Sequence, residues 1–298
     1  MTISQALIKA YAKLLVPPIN SAHLDAELLL SFVLGKPREY ILVHPDLELS
    51  QSQILKFNKF IAQRAKNIPL AYLTHVKEFY GRPFYVDQRV LVPRPETEMM
   101  VEEVRSKKLE VRSNTAMVDV GTGSGCIIIT LAKELENLKS KINPPAGGLK
   151  FIATDISKDA LTLARKNARI HGVDKKIKFL HGNLLEPLFL KIKNYKIKNF
   201  IIIANLPYLT PAEIKQSSTI KHEPRLALAA GSNGLKYYRQ LAVQLRQFNI
   251  KHPNIPVSLF CEIDPAQNKK IKKIFSFAKS VIIKKDLAGQ NRIAVVEL

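Results

Sequence analysis

The sequence predicts an α/β chain in which a small N-terminal helical bundle precedes a mostly parallel sheet with helices on both faces. Three observations predict it. The first 75 residues carry apolar side chains at helical spacing, with no strand-like alternation. From about Thr115 onward, short β-rich runs alternate with helical segments, the pattern of a parallel sheet joined by crossover helices. The first of those runs, Met117-Val118-Asp119-Val120, enters the glycine-rich turn Gly121-Thr122-Gly123-Ser124-Gly125 before a helix.

Taken in order, Ala6, Leu7, Ala10, Tyr11, Leu14 and Leu15 fall on one helical face. Ala26 to Leu34 is a strongly apolar helix that Gly35 and Pro37 close. A third helix is expected from about Ser52 to Lys66, with Ile54, Leu55, Phe57, Phe60 and Ile61 inward. Short helices with short connections suggest a bundle over 1–75. Residues 76–95 read as a β-hairpin linker, with Gly81 and Arg82-Pro83 as its turn and Val90-Leu91-Val92 among its β-formers. Pro95 then opens a helix running to about Arg105, with Glu96 and Glu98 favoured in its first turn by the helix dipole.

A third domain, 96–298, holds the remaining elements. Strands are expected at 116–120, 151–154, 178–180, 200–204, 257–263, 280–284 and 292–297, and helices at 126–138, 158–171, 235–248 and 265–278. Segments 139–150, with Pro144-Pro145 and Gly147-Gly148, and 187–199, with Lys191, Lys193, Lys196 and Lys198, read as surface insertions.

The chain has 298 residues, 46% hydrophobic and 24% charged, enough to bury a core and inconsistent with a disordered tail. No apolar run has the roughly 20 residues of a membrane helix, and Lys9 and Lys13 interrupt any signal-like start. Two isolated cysteines, Cys126 and Cys261, argue for a reducing cytoplasm. The seven histidines show no metal-ligand spacing, so no metal is expected, and nothing demands more than a monomer. The net charge of +21 would attract RNA, ribosomes or acidic proteins. Lysine is abundant throughout, however, so the charge alone does not decide between function and compositional drift.

The glycine loop lets the main chain turn sharply and lets a ligand approach it. Its spacing is GxGxG rather than the GxGxxG of dinucleotide folds. Asp119 lies just before it, and Asp155 ends the next strand, where a carboxylate can hold two ribose hydroxyls. The strand 200–204 delivers Asn205-Leu206-Pro207-Tyr208 at its carboxyl end, where open α/β sheets place ligands. That quartet suits a planar nitrogen nucleophile. The Asn205 side-chain oxygen and a backbone carbonyl, that of Leu206, would accept its two N–H bonds. Tyr208 would stack on its plane, and Pro207 would stiffen the turn.

Together these residues resemble the class I S-adenosylmethionine-dependent methyltransferases, a Rossmann-like fold. Further runs resemble one family among them, the release factor glutamine methyltransferases (PrmC/HemK). These are Asp25-Ala26-Glu27-Leu28-Leu29, Pro69-Leu70-Ala71-Tyr72, Glu78-Phe79-Tyr80-Gly81, Val92-Pro93-Arg94-Pro95-Glu96-Thr97-Glu98, Glu223-Pro224-Arg225, Gly234-Leu235, Glu262-Ile263 with Gln267, and Asp286 with Gly289 and Arg292. The resemblance implies an N-terminal domain that docks the substrate protein and methylation of the glutamine in the Gly-Gly-Gln loop of peptide chain release factors. It implies S-adenosylmethionine contacts from Asp119, Gly121, Thr122, Gly123, Ser124, Gly125, Asp155, Ile156, Asn183, Leu184 and Asn205. Asn205, Leu206, Pro207 and Tyr208 would hold the glutamine amide. The chain departs from the family pattern at Leu206, where a second proline is usual, and at Asn183, Leu184 and Asp264, where an acid, an aromatic and a glycine are usual.

Asn-Leu-Pro-Tyr also resembles the rRNA adenine dimethyltransferases, so an adenine amino methyltransferase acting on RNA or DNA is the alternative. The net charge and Leu206 favour it; the helical N-terminal segment and the Pro93–Glu98 run oppose it. A basic RNA- or ribosome-binding protein with a decayed cofactor fold is a third reading, opposed by the intact Gly121, Gly123, Gly125, Asp155, Asn205 and Tyr208.

Overall fold

Thr2 and Ser50 start two helices by the same device. Each side-chain hydroxyl accepts from the backbone N–H three residues on, and the Gln5 or Gln53 side chain answers by accepting from the cap's own N–H. The computed structural model describes residues 1–15, 19–106, 114–139, 149–189, 197–217 and 219–298. Residues 140–148 and 190–196, the bulk of the two expected insertions, lie outside it.

The described chain divides into two compact units, Met1–Val76 with Ser217–His222, and Lys77–Gln216 with Glu223–Leu298. The first holds α1 (Ile3–Leu14), α2 (Ala22–Leu34), α3 (Arg38–Val43), α4 (Gln51–Arg64) and α5 (Leu70–Thr74). Gly35 closes α2 in the left-handed conformation, φ 62°, that glycine adopts without steric cost. Ile3, Leu14, Leu29, Leu30, Ile41 and Phe57 form its core. Inside it, Asp25 is buried and accepts from Arg64 at 2.6 Å, so the desolvated acid keeps a charged partner. The short helices α3 and α5 carry too few residues for a periodic signal and were not expected from the sequence.

In the second unit the hairpin consists of β1 (Val76–Phe79) and β2 (Arg82–Tyr85). Its turn is Tyr80-Gly81, both at positive φ (53° and 66°), as a two-residue hairpin turn of matching twist requires. Arg82-Pro83 therefore begins the second strand instead of forming the turn. Val90, Leu91 and Val92 are not strand either. The Val92 N–H donates to the Glu223 carboxylate instead of to a strand neighbour.

A 3-10 turn at Pro95–Thr97 then leads into α6 (Glu98–Ser106). There follow β3 (Thr115–Val120), α7 (Cys126–Lys139), β4 (Leu149–Asp155), α8 (Lys158–Ile170), β5 (Ile177–His181), α9 (Glu186–Phe189), β6 (Asn199–Ala204), α10 (Pro211–Gln216), α11 (Lys236–Lys251), β7 (Val257–Glu262), α12 (Asn268–Ile274), β8 (Ser280–Lys285) and β9 (Asn291–Glu297). The helix expected over 265–278 is shorter. Residues 265–267 form a 3-10 turn, and the buried Phe275 caps α12.

The seven-stranded sheet has the order β5-β4-β3-β6-β7-β9-β8. Its first five strands are parallel, and β9 runs antiparallel between β7 and β8. This is the expected Rossmann-like, mostly parallel sheet. The sheet is covered on both faces, and all six residues of β3 are buried, Thr115 and Asp119 included. One core lies beneath α11 and α12, the other beneath α6, α7 and α8. The chain steps outward from β3 to β4 and β5 and then returns to β6 on the other side of β3, so the strand order reverses there and a crevice opens at the carboxyl ends of these strands. Val120 pairs with Thr154 and with Ala204, which puts the glycine loop, Asp155 and Asn205 level at that edge.

Candidate active site

The loop after β3 takes its shape from three glycines at positive φ: Gly121 at 72°, Gly123 at 54° and Gly125 at 80°. A Cβ on Gly125 would lie 2.9 Å from Ile129 Cδ1 and 3.2 Å from Ala164 Cβ, so this glycine serves helix packing and does not face the cleft. The N–H groups of Gly121 and Thr122 both donate to the Thr154 carbonyl, tying the loop to the end of β4. Asn167, fully buried on α8, donates to the carbonyls of Ser124 and Tyr85 and accepts from the Tyr85 N–H. One amide thus fastens loop, hairpin and helix, a role with no local signal around Asn167.

Asp119 is 0% exposed and lies under the loop, out of the cleft. Thr122 Oγ1 donates to its Oδ2 at 2.6 Å. Burial pushes its pKa up to about 7 despite that bond. Asp155 faces the cleft. Its two carboxylate oxygens accept from the Gly123 N–H at 2.9 Å and the Ser157 N–H at 2.8 Å. Burial raises its pKa, and these backbone donors oppose the rise. The carboxylate is thereby held in one orientation, with lone pairs left for a pair of hydroxyls.

On the other side of the crevice, Asn205 Nδ2 donates to Thr97 Oγ1 and to Glu262 Oε2, each at 3.0 Å. Thr97 Oγ1 donates to the same Glu262 oxygen at 2.6 Å. A carboxylate can only accept here, so the Asn205 NH₂ faces Glu262, which leaves Oδ1 as the acceptor this residue offers to the cleft it lines. Glu262 is 2% exposed, and burial raises its pKa against the Thr97 bond and the positive charge of Arg292. Thr97 and Glu262 stand in runs that carry the family resemblance, but neither was among the expected site residues. A lone acid within the apolar run 257–263 was the available signal.

The cleft has about 1070 Å³ of free space, part of it open to solvent. Gly121, Thr122, Gly123, Ser124, Asp155, Ile156, Asn183, Leu184, Asn205, Leu206 and Pro207 line it, so the structure brings together most of the expected site residues. Asp119, Gly125 and Tyr208 do not line it. Tyr208 is half-buried against the core under α11. Burial and the neighbouring Glu262 carboxylate push its phenol up to about 12. Its carbonyl accepts from Gln267 Nε2 at 3.1 Å. Asn183 donates to Glu186 at 3.1 Å, and Leu184, at φ 51°, offers an apolar wall.

A second wall comes from Arg89, Val90, Leu91, Pro93 and Arg94. Of these, Val90 and Leu91 are among the residues expected as β-formers of the hairpin linker. Glu223, itself buried, holds this strap by accepting from the Val92 N–H and from the Arg94 guanidinium. Pro224, Leu226, Ala227 and Tyr237 complete the rim. The donor set fits a nucleoside-type methyl donor: a fixed carboxylate for hydroxyls, an apolar wall for a base, and exposed main chain at a glycine loop.

Residues 5–74 match the family model described as the PrmC N-terminal domain, and residues 111–279 match a methyltransferase domain. A release factor glutamine methyltransferase of Dictyoglomus turgidum is 35% identical, over 93% of this chain and 92% of its own length. The chain belongs to the release factor glutamine methyltransferase family. Another member, from Chlorobaculum tepidum, is 36% identical over 76% of this chain and 74% of its own. A protein named bifunctional methyltransferase in Rickettsia felis is 34% identical over 98% of this chain, which spans 57% of that relative's length. The fold is also that of the crystallised hMettl16 catalytic domain in complex with a 3′UTR hairpin, at a TM-score of 0.51 and 14% identity, covering 80% of this chain and 89% of the other. Among the described residues, no helix is long and apolar enough to cross a membrane.

Proposed function

We propose that this chain transfers a methyl group from S-adenosylmethionine to the side-chain amide nitrogen of the glutamine in the Gly-Gly-Gln loop of peptide chain release factors, in the cytoplasm. The observation that carries the reading is the fixed orientation of Asn205, whose NH₂ is taken up by the Thr97 and Glu262 acceptors, leaving Oδ1 to accept from a substrate. Family membership supplies the substrate class.

Asp155 and the main chain of Gly121–Ser124 would hold the donor's nucleoside and methionine parts, with Ile156, Asn183 and Leu184 against its base. When bound, S-adenosylmethionine supplies a methyl group on a positively charged sulfur, which a nitrogen accepts with loss of one proton. An amide nitrogen is a poor nucleophile because its lone pair is delocalised. Asn205 Oδ1 and the Leu206 carbonyl would accept its two N–H bonds, fix its plane and raise its electron density. The site needs no strong base, since the amide proton becomes acidic once the new N–C bond forms and can pass to water.

The release factors, the N-terminal docking role of residues 1–75 and the monomeric state are parts of this proposal. The test is transfer of label from radiolabelled S-adenosylmethionine to a release factor, with total rRNA as the competing substrate. Label on the factor that disappears with Asn205→Ala, and again when the factor's loop glutamine is replaced by alanine, is the expected result. Label on rRNA alone would establish the adenine reading instead.

A further inference from the structure

The positive charge of this protein is unevenly distributed. Residues 236–285 contain eleven lysines and arginines against two acids, Glu262 and Asp264. Glu262 is buried in the site already described, so this segment shows solvent a single carboxylate. Lysine and arginine are not spread evenly: on the opposite face of the sheet α8 carries Lys158, Arg165, Lys166 and Arg169 beside Asp159, but α6 is acidic. There α6 carries Glu98, Glu102 and Glu103 beside one arginine, and Arg82 and Arg105 pair with Glu134.

Eight of these eleven cations stand on two helices, α11 and α12. α11 and α12 pack against each other and cover the same core. Ile271 turns inward from α12 and is fully buried, which leaves Lys269, Lys270, Lys272 and Lys273 exposed on its outer surface. Lys279 is exposed on the turn that follows. On α11, Arg239 and Arg246 are exposed seven residues apart, two helical turns and about 10 Å along one face. Lys284 belongs to the other side, where it pairs with Glu103 at 3.5 Å. Lysines beside the edge strand β8 also discourage edge pairing, but the four on α12 stand on a helix and have no such role.

We propose that the outer face of α11 and α12 is a docking surface for RNA, bound through its phosphate backbone without base reading. A dense lysine and arginine layer with almost no acid is the electrostatic footprint of a polyanion site. The exposed large apolar residues of α11, Val243 and Ile250, alternate with Arg239 and Arg246 along that helix face. This face thus offers no broad apolar stripe for a lipid layer and no aromatic platform for bases. Phosphate contact remains, and it is sequence-independent and steeply dependent on salt.

The test uses the full chain and a short fluorescent RNA duplex. Neutralising even four phosphates predicts about a hundredfold loss of affinity between ~50 and ~200 mM salt. The quadruple variant Lys269→Glu, Lys270→Glu, Lys272→Glu, Lys273→Glu should abolish binding at the lower salt. The control variant Lys9→Glu, Lys13→Glu, Lys56→Glu, Lys59→Glu changes net charge equally and should keep most of it. If the α12 variant unfolds by circular dichroism, the corresponding Lys→Gln variant replaces it and should still lose more than tenfold. Equal loss in both charge-matched variants would overturn the proposal, since overall charge would then explain the binding. Tighter binding to phosphatidylserine vesicles than to RNA, lost with the α12 lysines, would also overturn it and assign the face to anionic lipid.

Discussion

The Asn205 side-chain amide donates to the Glu262 carboxylate at 3.0 Å, across 57 residues of sequence, and this bond decides which end of the amide meets substrate. Glu262 is thereby a positioning residue. Replacing it with leucine removes the acceptor that orients Asn205, and turnover should fall about 10- to 100-fold. Asn205→Ala, which removes the acceptor itself, should cost about 10²–10³-fold. Binding of S-adenosylmethionine, measured by calorimetry, should change little in the Glu262 variant. Burying a carboxylate is unfavourable, so thermal stability should hold or rise. A Glu262→Leu enzyme with unchanged turnover would remove Glu262 from this role.

Asp155 is held by two backbone donors at the end of β4, so its effect should lie in binding. Asp155→Ala loses the acceptors for the donor's hydroxyls and leaves the Gly123 and Ser157 N–H groups without their partner. S-adenosylmethionine should bind about 10- to 100-fold more weakly, equivalent to roughly 1.4–2.8 kcal/mol. Asp155→Asn keeps one carbonyl oxygen and should recover part of that affinity. Isothermal titration of the three proteins, ranked wild type, Asn, Ala, checks the order.

How much of this was legible follows from where each interaction lies in the chain. The glycine loop, Asp155 and Asn205–Pro207 are each local: a strand end and the residues right after it carry both the geometry and the chemistry. The partners that orient them are distant. Thr97 reaches Asn205 across 108 residues, and Glu223 reaches Val92 across 131. No periodicity or spacing records such pairs. The strap 89–94 misled for a related reason, because Val90-Leu91-Val92 has strand composition but its backbone partner is a side chain. Tyr208 was assigned to the cleft from its place beside Asn205, whereas its ring packs into the core under α11.

The glycines separate into those that need space and those that need only backbone freedom. A Cβ on Gly234 (φ 70°) would lie 2.2 Å from the Tyr208 carbonyl oxygen and 2.5 Å from Gln267 Nε2. Gly234→Ala must therefore push the Asn205–Tyr208 turn away from its clamp. It should destabilise the protein by about 3 kcal/mol or more and abolish transfer. At Gly123 (φ 54°) a Cβ would meet nothing within 4 Å. Gly123→Ala should cost only the left-handed backbone, about 1–2 kcal/mol. Chemical denaturation of both variants compares the two costs directly.

Asp119 gives the protein a predictable response to pH. Burial pushes its carboxyl up to about 7 in the folded state, against an ordinary value of 3.8. The folded state therefore holds a proton that the unfolded state releases. This favours folding below about pH 4, and the advantage is lost as pH rises through 7. A rise of about three units corresponds to at most about 4 kcal/mol. Asp119→Asn keeps an oxygen for the Thr122 hydroxyl at this position and removes the titration. Unfolding free energies measured between pH 4 and pH 8 should fall more steeply for the wild type than for Asp119→Asn, with the gap widest above pH 7. Parallel curves for the two proteins would mean that Asp119 folds with its charge already compensated.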